Sequence, residues 1–199
     1  AGMNRDRASG EAGCGSGETT AHSWIVTARG FYTLWFAYIL VNALIRYFLS
    51  HTLMGDDVSA SLLTQSLQFG YSARNPPLWE WLLWTIQQFV GPGFESHWLL
   101  RYGFIALLGV GIFRTSRTVS GNVPWSAVVA LSSPLCFQIG WPFFEWGTHT
   151  LALIVVCLFT IDAALRYAAT PTYRRAALVG VLVGLGFLSK HGFSVFVAS

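Results

Sequence analysis

The chain has 199 residues, of which 53% are hydrophobic, 16% aromatic and 11% charged, with a net charge of +3. A mean hydropathy of +0.50 and a charged share far below the roughly 25% usual for soluble domains define an integral membrane protein. The small positive charge is spread along the loops rather than gathered on one face, which argues against nucleic acid as a partner.

Residues 1–22 are rich in Gly, Ala, Ser, Thr and Glu. Too little apolar surface is available there to offset the entropy of ordering, so a disordered cytoplasmic tail is expected. It has no apolar core of signal-peptide length. The remainder, 23–199, is expected to form one transmembrane domain of about five spans. The first apolar run, 31–49, is long enough to cross a hydrocarbon core of roughly 30 Å.

Directly after it stand Gly55, Asp56 and Asp57. Paired carboxylates at the exit of a membrane helix are costly to neutralise, which favours chemistry or ion binding at the bilayer surface. The competing role is helix capping, for which Asp is a preferred residue. Mutual repulsion would raise the pKa of one of the two. Two short helices at the interface are expected next, over 58–69 and 78–90, the second rich in Trp and separated from the first by Pro76 and Pro77.

Further apolar runs cover 98–113, 123–141, 148–167 and 176 to the end. Arginines mark alternate loops: Arg5, Arg7 and Arg29, then Arg114 and Arg117, then Arg166, Arg174 and Arg175. By the positive-inside rule these are cytoplasmic. The opposite face then collects Asp56, Asp57, Arg74, Glu80, Glu95, His97, Arg101, Glu145, His149, Lys190 and His191. Glu80, His97 and Arg101 either join a site there or form ion pairs within it. Asp162 falls in the inner half of the fourth span, where an isolated charge is expensive, so Arg166 one turn on is its expected partner. Cys14, Cys136 and Cys157 have no metal-ligand spacing.

Gly55-Asp56-Asp57, Gln65, Leu67, Gly70-Tyr71 and Pro76-Pro77-Leu78 together resemble the first outer loop of the polyprenyl-phosphate-sugar glycosyltransferases. This is the GT-C group with the protein O-mannosyltransferases of family 39 and the aminoarabinose transferases. The ending Gly184-Leu-Gly-Phe-Leu-Ser-Lys190-His191 is similar to a second element of that group. His149-Thr150 and Pro76-Pro77-Leu78-Trp79-Glu80-Trp81 resemble the uronic-acid transferases of bacterial envelopes. The chain departs from the group at Asn75, where His or Lys is frequent, and at 148–150, where many members carry Asp.

The resemblance implies an all-α, multi-pass GT-C bundle with two juxtamembrane helices, of which this chain would be the N-terminal part. It implies transfer of a sugar, with inversion, from a polyprenyl phosphate to a lipid A, glycan or protein acceptor. The site would lie on the periplasmic side of a bacterial inner membrane. Asp56 is then the expected general base, with Asp57 beside it. Arg74 and Lys190 are candidates for the donor phosphate or, alternatively, cations that snorkel to lipid headgroups. Glu145, His149, Tyr71 and His191 are accessory candidates. No cofactor is implied with certainty; a divalent cation on Asp56, Asp57 or His149 stays open. A transporter or channel fragment, or a membrane assembly subunit without chemistry, are the competing classes.

Overall fold

The computed structural model describes residues 24–199; the expected N-terminal tail lies outside the described residues. Those residues are helical, with no strand among them. The elements are α1 (Ala28–Leu49), α2 (Asp56–Leu63), α3 (Leu78–Val90), α4 (Phe94–Ser120), α5 (Val123–Ser132), a 3₁₀ turn (Ser133–Leu135), and the single turns α6 (Phe137–Gly140) and α7 (Pro142–Glu145). They continue as α8 (Thr148–Ala169), α9 (Tyr173–Ser189) and α10 (Phe193–Ala198).

Polar side chains start several of these helices. The hydroxyls of Thr27 and Thr172 accept the amides of Gly30 and Arg175, and the Asn122 side chain accepts the amide of Trp125, satisfying N–H groups that lack an intrahelical partner. Helix α4 ends at Gly121, whose φ of 65° is the left-handed conformation Gly adopts most readily.

Three helices, α1, α4 and α8, are long and apolar enough to cross a membrane. The apolar run over 123–141 is not one helix. It breaks after Ser132 into a 3₁₀ turn and two short turns, because Pro134 and Pro142 lack the N–H a continuous helix requires. The chain doubles back so closely that a Cβ on Gly140 would stand 2.0 Å from the carbonyl oxygen of Pro134. Helix α9, at 17 residues, is also shorter than a full span. The helix expected over 58–69 stops at Leu63, whereas α3 matches 78–90.

Helix α4 is central, packing against α1, α3, α5 and α8. Its joint with α1 is aromatic: Phe31 stacks on Phe113 with centroids 4.4 Å apart, and the Trp35 indole lies over Gly109 and donates to the Ala106 carbonyl at 3.1 Å. Further along, Trp98 donates to the Ala43 carbonyl and Tyr102 to that of Asn42. These pairings make α1 and α4 antiparallel.

Helices α4 and α8 run parallel, with Gly111 against Leu158 and Arg114 beside Asp162. Asp162 accepts from Arg166 at 2.8 Å, as the sequence leads one to expect, and also from Arg114 and from the Thr118 hydroxyl. Because α4 and α8 are parallel, residues at their start and at their end gather into two separate charged clusters. From Arg101 to Arg114 is about 20 Å of helix.

The Trp35–Gly109 contact predicts a steric penalty. A Cβ at position 109 would fall 2.0 Å from the indole, so Gly109→Val should destabilise the protein by about 1–3 kcal/mol. Thermal unfolding of the full-length protein in detergent should show a lower midpoint, with Gly103→Val, which meets nothing within 4 Å, as the unaffected control.

Candidate active site

Helix α2 begins at Gly55, whose φ of 52° bends the chain away from α1; no side chain caps it. Consecutive residues on a helix point about 100° apart, and that rotation separates the two carboxylates. Asp57 faces the bundle and is 6% exposed. Asp56 faces outward, with no hydrogen-bond or ion-pair partner among the described residues. Neither serves as the N-cap.

Asp57 is held by α4. The Arg101 guanidinium donates to its Oδ2 at 2.7 Å, and His97 Nδ1 lies 3.4 Å from its Oδ1. The His97 contact is longer than a well-formed hydrogen bond, and neither atom has another partner among the described residues. The other His97 nitrogen, Nε2, is 2.8 Å from the Ser61 hydroxyl. Burial alone would raise the Asp57 pKa; His97 and the Arg101 guanidinium outweigh it and hold the carboxyl below its ordinary value. The adjacent Asp56 therefore does not drive the Asp57 carboxyl upward.

Arg101 has a second task. Its Nη1 donates to the carbonyls of Phe143 and Trp146 at 3.1 and 3.2 Å. One buried guanidinium thus ties the start of α2 to the α7 turn. Glu145, in that turn, pairs with Arg46 at 3.3 Å, and Arg46 also donates to the Thr52 carbonyl in the α1–α2 loop. Between these parts lies a cleft of about 570 Å³ lined by Met54, Gly55, Asp56, Trp141, Glu145 and Trp146.

A second group forms where α3, α8 and the α9–α10 elbow meet. Glu80 and His149, 3% and 8% exposed, face each other with Nε2 3.2 Å from Oε1. The remaining Glu80 oxygen and His149 Nδ1 have no partner among the described residues, which in a buried setting marks a place that holds water or ligand, or a functional group. Lys190 donates to the Thr150 hydroxyl at 2.8 Å, and His191 Nε2 stands 3.3 Å from the Ala73 carbonyl. The loop that carries Arg74 therefore adjoins the elbow that carries Lys190. Arg74 is exposed with no ion pair among the described residues. The elbow is set by Phe193, whose ring fills the space beside Gly186.

Tyr71 braces its own loop, donating to the Ser66 carbonyl and accepting the Gln68 amide. As for a metal, no group of three or more His, Cys, Asp or Glu that could hold an ion is present among the described residues. Asp57 and His149 are each committed to other partners.

Over 179 residues, 89% of its length, the chain is 26% identical to the lipopolysaccharide core galacturonosyltransferase RgtB of Rhizobium johnstonii. It is 25% identical over 166 residues, 80% of its length, to RgtA of the same organism, which carries the same description. Both relatives are glycosyltransferases. The matched parts are 34% and 32% of those proteins, so the chain spans about a third of the length of the curated relatives it matches. No family model and no solved structure matches it.

The Asp57–Arg101 pair predicts an asymmetric response. Arg101→Met leaves a buried carboxylate uncompensated and should cost about 3–5 kcal/mol, part of which the double change with Asp57→Asn should recover in thermal unfolding. A lowered folded-state pKa gives stability that is present above the ordinary value of 3.8 and lost as pH falls through the lower folded value. The wild-type midpoint should therefore drop below about pH 3.8, and Asp57→Asn should flatten that drop.

Proposed function

We propose that the chain is part of a GT-C type membrane glycosyltransferase that moves a uronic acid from a polyprenyl phosphate to a lipopolysaccharide core glycan. The observation that carries this reading is the division of labour in the carboxylate pair: Asp57 is locked by Arg101 while Asp56 stands free in a cleft. The resemblance of the 55–78 loop to the polyprenyl-phosphate-sugar transferases and the similarity to two galacturonosyltransferases support it.

In this mechanism the Asp56 carboxylate takes the proton of an acceptor hydroxyl as its oxygen attacks the anomeric carbon of the donor. The new C–O bond forms as the bond from that carbon to the phosphate oxygen breaks, inverting the anomeric centre. Polyprenyl phosphate leaves with the electron pair. Arg74 and Lys190, which the contact between His191 and Ala73 brings to one region, neutralise the phosphate charge. His149, oriented by Glu80, is the accessory group on the α8 side that contacts the sugar.

The charged clusters at the two ends of the α4–α8 pair fit a multi-pass arrangement in the inner membrane. The arginine-rich end, with Arg29, Arg114, Arg117, Arg166, Arg174 and Arg175, is cytoplasmic together with the N-terminus. The end that carries Asp56 and Lys190 is periplasmic. An ion-conducting reading would need ionisable groups near the midplane of several spans, whereas the deep one described here, Asp162, is paired with Arg114 and Arg166.

Asp56→Asn should lower transfer from a polyprenyl-phosphate uronate by at least about 10²-fold while leaving the unfolding midpoint unchanged, since Asp56 bonds to nothing among the described residues. Lys190→Ala and Arg74→Ala should instead raise the donor KM. Full activity of Asp56→Asn in a radiolabelled sugar-transfer assay would remove it as the base.

A further inference from the structure

Two clefts adjoin at the end of the bundle that carries Asp56. The larger holds Asp56, Glu145, Trp141 and Trp146. The smaller, of about 250 Å³, shares Trp141 and Glu145 and adds Asn42, Arg46, Ser50 and Tyr102. We propose that the larger cleft seats the terminal sugar ring of the acceptor, stacked on Trp141 and Trp146 and held through its hydroxyls by Glu145. This inference rests on the glycosyltransferase reading and adds to it the place and chemistry of acceptor recognition.

A pyranose ring presents an apolar C–H face and a rim of hydroxyls. A complementary site supplies flat aromatic surface and a few fixed polar groups, in a cleft of about 300–1,000 Å³. The larger cleft meets that description in volume and in chemistry. Trp141 and Trp146, 63% and 57% exposed, flank the α7 turn and are absent from the packed core. Exposure alone would equally fit a headgroup belt. What sets these two apart is a shared cleft with two carboxylates.

Charge decides which substrate the cleft takes. Its lining carries two carboxylates, Asp56 and Glu145, and no Lys or Arg among the described residues; Arg46, in the lining of the adjoining smaller cleft, is already paired with Glu145. Such a lining repels a phosphate and accepts hydrogen bonds from hydroxyls. Arg74 and Lys190 line neither cleft, so the anionic donor head and the acceptor ring have separate berths. Asp56, on the wall of the larger cleft, is then placed against the hydroxyl it deprotonates.

The platform is also rigid with respect to that carboxylate. Arg101 holds the Phe143 and Trp146 carbonyls on one side and Asp57 on the other, which fixes the spacing between the indoles and α2. Preorganisation of this kind is what acceptor positioning requires.

The test is calorimetric titration of the full-length protein in nanodiscs with a lipid-free lipopolysaccharide core oligosaccharide. Trp141→Ala and Trp146→Ala should each weaken binding at least tenfold, and Trp146→Phe, which keeps a flat ring, should recover most of it. Trp125→Ala, an exposed indole on α5 outside both clefts, should bind like wild type. Wild-type binding in all variants, equal loss in Trp125→Ala, or no binding by wild type would each overturn the proposal. The two readings fail separately. Oligosaccharide binding with the expected pattern but no transfer from a lipid-linked uronate removes the catalytic reading alone; transfer with an acceptor KM unchanged in the Trp variants removes the acceptor site alone.

Discussion

A guanidinium buried at the end of a helix bundle must be neutralised and must find acceptors, and the acceptors Arg101 takes organise this end of the molecule. Its charge is met by Asp57 at Nη2, and its Nη1 donates to the backbone carbonyls of Phe143 in α7 and of Trp146 just after it. Three segments that are far apart in the chain are thereby fastened to one side chain. An Arg suits this because its planar fork reaches several acceptors at once, which a Lys ammonium on the same stem does less well. The consequence is local and specific: α2 cannot shift without carrying the α7 turn with it, so the exposed Asp56 keeps its place in the cleft.

The rest of the bundle supports that arrangement from a distance. At the far end, Asp162 draws Arg114, Arg166 and Thr118 together and holds α4 and α8 in register. Between the two polar ends the packing is apolar and aromatic, with Phe31, Trp35, Leu108 and Phe113 fully enclosed. Many apolar side chains of α1, among them Phe36, Leu40, Leu44 and Phe48, point outward, as a helix facing lipid would have them. The charged groups thus form two clusters separated along the α4–α8 pair, one around Asp57 and Arg101 and one around Asp162.

Much of this was legible in the residues. Length and hydropathy locate α1, α4 and α8, and the Pro76-Pro77 and Gly91-Pro92-Gly93 breaks bound α3 closely. The i, i+4 spacing suffices to pair Asp162 with Arg166. Hydropathy could not show that 123–141 breaks, because apolar content continues through it while the prolines decide the backbone. The long-range pairs of the site, Asp57 with Arg101, Arg46 with Glu145 and Glu80 with His149, join residues 44 or more positions apart and depend on how helices pack, which no local pattern encodes. Adjacent carboxylates look equivalent in a sequence. One signal does separate them: Asp57, Ala60, Ser61 and Thr64 fall on a single helix face of small residues, which marks Asp57 as the member of the pair that turns inward.

In the proposed mechanism the inward Asp57 anchors the site while Asp56 performs the reaction on a lipid-borne donor. The most direct measurement is an electron cryo-microscopy map of the full-length protein in nanodiscs with a polyprenyl-phosphate uronate bound. The donor phosphate should lie between Arg74 and Lys190, with the anomeric carbon turned toward Asp56 and Arg101 still bonded to Asp57. A phosphate seated on Arg101 with Asp57 released, or a donor lying beyond reach of Asp56, would contradict the mechanism.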